Sequence, residues 1–311
     1  MSGGQFRRVA FLGLGAMGRP MATILLRAGF AVAAFDIRAE VRAALAAQGA
    51  ADADSAAAAA TGADACIVMV QNYAQVRAVL LGEGGASGAL DALQPGALVL
   101  LMSTVAPADA RELDTICAAR GLRLLDAPVS GGTVAAEGGT LTVIVGGPDG
   151  TLAAARPLLD ALADPARIWQ VGQRVGDGQA MKMINQLMAG VNIAASCEAM
   201  VLAAKAGLDT QQAYDIISVS AGGSWMFNNR VPRMLDGTFD PPSSALAIFV
   251  KDLGIVTDTA DELGLPLFLA PLARQLFKYA AAAGLGGEDD SGLVRFYEHA
   301  AGVKVARPPK E

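Results

Sequence analysis

The feature that most constrains the fold is a glycine-rich turn near the start of the chain. A short apolar run at residues 9–12 leads directly into the turn Gly13-Leu14-Gly15-Ala16-Met17-Gly18. A helical pattern follows at residues 19–28, and a second apolar run at residues 31–35 ends at Asp36. Strand, GxGxxG turn, helix, strand and acid in this order predict the first βαβ unit of a parallel sheet.

Each part of this unit suits the binding of a dinucleotide. Gly13 permits the tight turn, Gly15 lets the backbone approach a pyrophosphate, and Gly18 lets the helix lie close to the strand. The N-terminus of the helix offers its N–H groups to the phosphates. Asp36 lies 18 residues after Gly18 and can accept hydrogen bonds from both ribose hydroxyls, which predicts NAD as the cofactor. Arg38 leaves NADP possible, because an arginine there could bind a 2′-phosphate.

Apolar runs and helical patterns alternate over the rest of the first half. Further strands are predicted at residues 65–70, 97–102, 122–126, 140–147 and 167–171. Helices are predicted at residues 73–81, 107–119 and 151–162. This alternation predicts a doubly wound, mostly parallel α/β sheet of the Rossmann type over residues 1–171. Ligands of such sheets bind beyond the carboxyl ends of the strands, where Val70, Gln71, Thr104 and Ser130 are expected.

A second glycine-rich segment follows the strand predicted at residues 122–126. Pro128 holds the residue before it in an extended conformation. Ser130, Gly131 and Gly132 then supply a hydroxyl group and consecutive backbone N–H groups, which predict an anion-binding nest. A turn from strand to strand is the alternative, since the glycines alone would explain it.

The second half of the chain has helical patterns throughout. They occupy residues 176–206, 210–220, 225–235, 245–263 and 267–283. They predict an all-α domain over residues 172–311, linked to the first domain by a long helix. Residues 225–230 contain Trp225, Met226, Phe227 and Arg230, which are expected in the helical core, with a substrate cavity or a subunit contact as alternatives.

The start of the long helix carries an unusual set of polar side chains. Lys182, Asn185 and Gln186 share one stripe, because helical residues three and four apart lie on the same face. A solvated first turn would explain this stripe without any function. The neighbouring apolar residues are expected to pack against the rest of the chain. They are Met181, Ile184, Met188 and Val191.

Composition excludes several classes of function. His299 is the only histidine, which excludes Ser-His-Asp hydrolysis and histidine–zinc sites in the body of the protein, and we expect no metal site. With 24 basic and 30 acidic residues, the chain is a poor candidate for binding nucleic acid.

Cys66, Cys117 and Cys197 are widely spaced and fit buried thiols in the cytoplasm. No membrane span is expected, because no uninterrupted apolar run approaches the ~18 residues required. No signal peptide is expected either, because the first residues lead directly into a predicted strand and a glycine turn.

Ordered motifs run along nearly the whole chain. They are the glycine turn with Pro20-Met21, Ser103-Thr104, DAPVSGG at residues 126–132, GQAMKMIN at residues 178–185 and KDLG at residues 251–254. Together these motifs resemble those of the β-hydroxyacid dehydrogenases, relatives of 3-hydroxyisobutyrate and 6-phosphogluconate dehydrogenases. The resemblance implies a Rossmann domain followed by a helical domain, in a homodimer or homotetramer. It also implies hydride transfer between NAD(P) and a small hydroxy acid or aldehyde acid.

The resemblance assigns roles to individual residues. Lys182 would be the catalytic lysine, which accepts and returns the proton of the substrate hydroxyl. An exposed lysine is a poor base at neutral pH, so this role requires burial of Lys182. Ser130, Gly131 and Gly132 would hold the substrate carboxylate, with Asn185 in the same pocket. Thr104 and Lys251 would approach the nicotinamide side of the cofactor.

Within this family, residues 71–75, 223–230 and 249–254 look most like the L-threonate dehydrogenases. That subgroup tends to carry histidine where this chain has Asn185, so substrates of the 3-hydroxyisobutyrate and 2-hydroxy-3-oxopropionate types stay open. Three other classes also stay open. An imine reductase usually lacks the lysine, a methyltransferase would not explain Lys182 or Ser130, and a non-catalytic dinucleotide-binding module tends to carry additional domains.

Overall fold

The first βαβ unit forms as the sequence predicts. In the computed structural model, which describes residues 7–306, strand β1 is Arg8–Leu12, helix α1 is Gly18–Arg27 and strand β2 is Ala31–Phe35. The two strands pair in parallel along their whole length. The glycine-rich turn therefore lies at the carboxyl end of β1, immediately before the helix.

The remaining strands extend this pair into a sheet of nine strands within the described residues. They are β3 Ala51–Asp52, β4 Ala65–Val68, β5 Leu98–Leu101, β6 Arg123–Asp126, β7 Val129–Ser130, β8 Leu141–Gly146 and β9 Ala163–Gly172. Their order is β3-β2-β1-β4-β5-β6-β8-β7, and β9 pairs with β8. The pairs from β3 to β6 are parallel, and β8 runs antiparallel to β6 and β7. The predicted mostly parallel, doubly wound sheet is confirmed.

Both faces of the sheet are buried. Val9 and Phe11 of β1 belong to one hydrophobic core, whereas Ala10 and Leu12 belong to another. Burial on both faces explains why the strands are continuous apolar runs instead of alternating patterns. The helices of this part of the chain are α2 Ala39–Ala46, α3 Ala56–Ala60, α4 Tyr73–Leu81, α5 Ala89–Ala92, α6 Pro107–Ala118, α7 Gly132–Gly138 and α8 Asp149–Leu162.

The second half consists of helices, and no strand occurs in residues 183–306. It begins within the long helix α9, Asp177–Lys205, and the chain divides into two compact units between Lys182 and Met183. The further helices are α10 Thr210–Ser218, α11 Trp225–Asp236, α12 Leu246–Glu262, α13 Leu269–Ala280 and α14 Val294–Ala301. A π-helical turn at Ala281–Leu285 and a 3-10 helix at Asp290–Leu293 lie between the last two. The predicted helical second domain is confirmed.

A core of its own supports the second unit. Met226 and Phe227 are buried in this core, as predicted, and Arg230 forms a buried ion pair with Asp290 through two hydrogen bonds. Trp225, in contrast, is exposed. Helix α9 is the one helix within residues 7–306 that could cross a membrane by length and composition, and half of its most apolar window is buried. A core helix of a soluble protein meets the same criteria.

Candidate active site

The glycine-rich turn between β1 and α1 leaves little room for side chains. Gly13 has a φ of +98°, and a β-carbon there would collide with the carbonyl oxygen of Met69. A β-carbon on Gly18 would collide with the carbonyl oxygen of Gly13, so glycine is required where α1 approaches the turn. At Gly15 the same position has no atom within 4 Å. This open position is where the backbone of a dinucleotide-binding turn approaches the pyrophosphate.

Asp36 closes β2 and is held by four hydrogen bonds. Its carboxylate accepts from the backbone N–H groups of Leu14 at 2.7 Å and Arg38 at 3.0 Å. It also accepts from the Arg38 guanidinium, through Nε at 3.0 Å and Nη2 at 3.2 Å. Burial raises the pKa of Asp36, but the bonds from Arg38 and Leu14 outweigh burial and leave the pKa below its ordinary value. Since a carboxylate has about four acceptor positions, any further donor must compete with Arg38 for Asp36.

Three of the predicted cofactor contacts lie on the loops after β4 and β5, which are adjacent parallel strands. The N–H of Val70 donates to Oγ of Ser103 at 2.8 Å, which ties the two loops together. Gln71 is exposed, and its N–H donates to the side chain of Gln75 at 2.9 Å. Thr104 is half-buried. The structure therefore places Val70, Gln71 and Thr104 at the carboxyl edge of the sheet, as predicted.

The predicted anion nest leads from strand β7 into helix α7. Gly131 and Gly132 have φ values of +124° and +68°, which favour glycine. A β-carbon on Gly131 would also lie 2.6 Å from the β-carbon of Ala135. Ser130 and Gly131 are half-buried and Gly132 is exposed, so this segment reaches the protein surface. The alternative, a direct turn from one strand to the next, does not match the structure, because a helix of seven residues lies between β7 and β8.

The start of α9 buries its polar face. Gln179 is completely buried, while Lys182 and Gln186 are 6% and 8% exposed. These residues are three and four positions apart and therefore share one face of the helix. A solvated first turn is excluded by this burial.

Three of the four apolar residues predicted to pack against the chain are largely exposed, so the prediction is wrong for them, whereas Val191 packs against the core of the second unit as predicted. Met181, Ile184 and Met188 are 41%, 51% and 54% exposed. Helical periodicity shows which residues share a face, but it does not show which face the rest of the chain covers. At the start of α9 the buried side chains are the polar ones, whereas further along the helix apolar residues such as Ile193 and Met200 are buried.

The buried polar face of α9 is anchored to the ends of two strands. Asp126 is the last residue of β6 and is completely buried. Its Oδ2 accepts hydrogen bonds from the N–H groups of Gly176 at 3.0 Å and Gln179 at 2.9 Å. The Gln179 side chain donates through Nε2 to the carbonyl of Ser103 at 2.9 Å and accepts through Oε1 from the N–H of Val105 at 3.1 Å.

Burial raises the pKa of Asp126 to about 7, although the hydrogen bonds from Gln179 and Gly176 act in the opposite direction. A carboxyl group without a cationic partner is costly to bury in its charged form, and this cost is the largest contribution here. Sequence reasoning gave no role to Asp126 or Gln179. The signal for Gln179 was its position three residues before Lys182 on the same helical face.

The second unit holds Asn185 and Lys251 at the two ends of one polar chain. Asn185 donates through Nδ2 to Oε1 of Gln186 at 3.0 Å. Gln186 donates through Nε2 to Oδ2 of Asp252 at 2.5 Å, and Oδ1 of Asp252 lies 2.6 Å from Nζ of Lys251. Asp252 is buried. The sequence placed Asp252 in a motif but did not reveal that it joins two predicted site residues.

Two family profiles together match almost the whole chain. Residues 8–173 match the NAD binding domain of 6-phosphogluconate dehydrogenase. Residues 176–297 match the profile described as NAD-binding of NADP-dependent 3-hydroxyisobutyrate dehydrogenase. The chain belongs to the 3-hydroxyisobutyrate dehydrogenase family. This membership confirms the resemblance found in the sequence and the enzyme class, a hydroxy-acid dehydrogenase that acts on CH–OH with NAD(P).

Individual members of the family are similar over nearly their full length. L-threonate dehydrogenase of Cupriavidus necator is 45% identical over 94% of this chain and 96% of its own. 3-Hydroxyisobutyrate dehydrogenase of Pseudomonas aeruginosa is 38% identical, over 93% and 98%. The crystal structure of 3-hydroxyisobutyrate dehydrogenase from Salmonella typhimurium has a TM-score of 0.85 at 42% identity, covering 93% of this chain and 99% of that one.

Proposed function

We propose that this protein oxidises a small hydroxy acid of the L-threonate type with NAD, and that Lys182 is the general base. The observation that carries the proposal is the burial of Lys182 on the polar face of α9, in a chain whose only histidine is His299. The similarity to L-threonate dehydrogenase of Cupriavidus necator supports the substrate type. A substrate of the 3-hydroxyisobutyrate type is the second candidate, favoured by the relative from Pseudomonas aeruginosa. The 2-hydroxy-3-oxopropionate type stays a further alternative.

The substrate carboxylate would bind at Ser130, Gly131 and Gly132. The serine hydroxyl and the glycine N–H groups are hydrogen-bond donors that suit an anion. Asn185 would orient a substrate hydroxyl without adding charge. Lys182 would then be left to act on the hydroxyl of the carbon that is oxidised.

The cofactor would bind along the carboxyl edge of the sheet. The glycine turn would hold the pyrophosphate, and Asp36 would hold the ribose. The remaining contacts are proposed for Leu14, Ala16, Met17, Val70, Gln71, Thr104 and Lys251. Asp36 favours NAD over NADP because its charge repels a 2′-phosphate, whereas Arg38 keeps NADP possible.

The bound nicotinamide would supply the hydride acceptor of the reaction. Lys182, in its neutral form, takes the proton of the substrate hydroxyl as the carbon loses hydride. In the reverse direction the Lys182 ammonium returns the proton to the forming alkoxide. Burial disfavours the charged form of an amine, which suits a base at neutral pH.

Three further features belong to the proposal. The exposed apolar side chains Met181, Ile184 and Met188 suit a subunit interface, so we propose a homodimer or homotetramer. We also propose a cytoplasmic location, which the three buried, unpaired cysteines fit. We also propose that the cofactor domain ends at residue 171 and the helical domain begins at residue 172, so that the start of the long helix, which packs with the first compact unit, belongs to the helical domain.

Initial rates with NAD and NADP test this proposal across L-threonate, 3-hydroxyisobutyrate and glycerate. We expect NADH formation, with the highest kcat/KM for L-threonate. Measurable NAD binding without turnover of any hydroxy acid would contradict the proposal and favour a non-catalytic module.

A further inference from the structure

Four hydrogen bonds connect the start of α9 to the strand ends of the first unit. Oδ2 of Asp126 accepts two of them, from the backbone N–H of Gly176, which precedes the helix, and from that of Gln179 in its first turn. The Gln179 side chain makes the other two connections, to the carbonyl of Ser103 and the N–H of Val105. All of these polar atoms are in buried groups, so each bond replaces water that cannot reach them.

These connections lie between two parts of the proposed site. Lys182 is three residues after Gln179 on the same helix, and Ser130 is four residues after Asp126 on the segment that leaves β6. Asp126 therefore joins the helix that carries the lysine to the strand end that leads into the anion nest. A shift of this helix would move the Lys182 side chain relative to the substrate carboxylate.

We propose that Asp126 and Gln179 are positioning residues that hold Lys182 in register with the nest at Ser130, Gly131 and Gly132. The proposal rests on the proposed function of Lys182 and adds two residues that touch neither substrate nor cofactor. The geometry needs an acceptor at Oδ2 and an amide at Gln179, because a hydrocarbon side chain would leave buried N–H and C=O groups without partners.

The two oxygens of Asp126 make the proposal testable with a conservative change. Oδ2 accepts both hydrogen bonds, whereas Oδ1 is buried and has no hydrogen-bond partner within residues 7–306. An asparagine can place its carbonyl oxygen at the Oδ2 position and keep both bonds. An alanine removes the acceptor. Asp126→Asn removes only the charge, whereas Asp126→Ala removes both the charge and the acceptor, so the two variants together show which of them the enzyme needs.

The experiment compares kinetics and hydrogen exchange in the full-length enzyme. Because a small misplacement of a catalytic group costs up to ~100-fold, we expect Asp126→Ala and Gln179→Met to lower kcat ~10- to 100-fold, with KM for NAD within ~2-fold. Amide exchange at residues 176–182 should become faster in Asp126→Ala. Asp126→Asn should keep kcat within ~3-fold of wild type, because both bonds can be kept. Asp177→Asn removes an acidic group from the same helix end and is the matched control.

Two results would overturn the proposal. One is a wild-type kcat in Asp126→Ala or Gln179→Met, and the other is a loss in Asp126→Asn as large as that in Asp126→Ala. If Asp126→Ala does not fold, Gln179→Met decides the question alone, since it keeps the backbone bond to Asp126. If either overturning result occurs while the wild type is active and Lys182→Ala is inactive, only the positioning role has failed. If the wild type is inactive, or Lys182→Ala keeps the wild-type activity, the proposed function has failed.

Discussion

Gln186 donates a hydrogen bond from Nε2 to Oδ2 of Asp252 at 2.5 Å. Because a carboxylate only accepts, this bond fixes the orientation of the Gln186 amide, whose Oε1 then faces the Nδ2 of Asn185. Asn185 is thereby oriented as well, with its amide nitrogen turned toward Gln186. The other Asp252 oxygen pairs with Lys251. One buried carboxylate thus orders two proposed site residues.

The change Asp252→Asn is expected to lower kcat/KM for the hydroxy acid ~10- to 100-fold, which corresponds to the loss of one buried, charge-assisted hydrogen bond. An asparagine can present either an acceptor or a donor to Gln186, so the orientation of Asn185 is no longer fixed. Steady-state kinetics and a titration with NAD measure the effect. Asp258→Asn on the same helix is the matched control, because Asp258 is 70% exposed. Equal kcat/KM values in the two variants would contradict this role.

Arg38 is expected to control the choice of cofactor. It donates two side-chain hydrogen bonds to Asp36 and is 48% exposed, so it can leave Asp36 or turn toward a 2′-phosphate. Arg38→Ala should lower kcat/KM for NADP ~10-fold or more and leave that for NAD equal or higher, since one charge-assisted contact is removed. Arg27→Ala, at the far end of α1, serves as the control. A parallel loss with both cofactors would show that Arg38 does not discriminate between them.

The burial of Asp126 predicts a specific dependence of stability on pH. Its pKa in the folded protein is about 7, above the ordinary value of 3.8, so the folded state binds more protons between these values. The unfolding free energy of the wild type should therefore fall as the pH rises from about 4 to about 7, by up to about 4 kcal/mol from this group. Asp126→Asn lacks this contribution. The raised pKa of Asp290, about 6, is common to both proteins and cancels in the difference.

Denaturant unfolding at pH 5 and pH 8 measures this difference. The stability of the wild type relative to Asp126→Asn should be lower at pH 8 than at pH 5. An equal difference at the two pH values, or one of opposite sign, would show that Asp126 does not titrate as its burial implies.

The exposed apolar side chains of α9 predict the effect of a charge on assembly. Ile184 lies between Met181 and Met188 on this surface. Ile184→Glu should shift a homodimer or homotetramer toward smaller species, because a carboxylate is costly to bury in an apolar interface. Light scattering after gel filtration measures the mass. An unchanged mass would place the interface elsewhere.

The local parts of the site could be predicted from the sequence. The glycine turn and Asp36 belong to one βαβ unit, where each residue follows from its neighbours in the chain. Gly13 and Gly18 prove to be sterically required, as expected. The family resemblance rested on short motifs of the same kind.

The roles of Asp126 and Gln186, which hold other parts of the site by hydrogen bonds, could not be predicted, because their partners are far away in the sequence. Asp126 binds a backbone group 53 positions later, and Gln186 binds a side chain 66 positions later. No local pattern encodes such pairs. The same reason explains the wrong prediction for Met181 and Ile184. The polar side chains at the start of α9 are buried because they have partners far away in the sequence, and the apolar side chains beside them are left exposed.

The role of Lys182 is tested most directly by the kinetics of Lys182→Ala with NAD and L-threonate. Lys205→Ala is the matched control, because Lys205 is exposed at the far end of the same helix. Loss of the proton carrier should lower kcat at least ~100-fold, while the Kd for NAD stays within ~2-fold of the wild type. A near-wild-type kcat in Lys182→Ala would contradict the account.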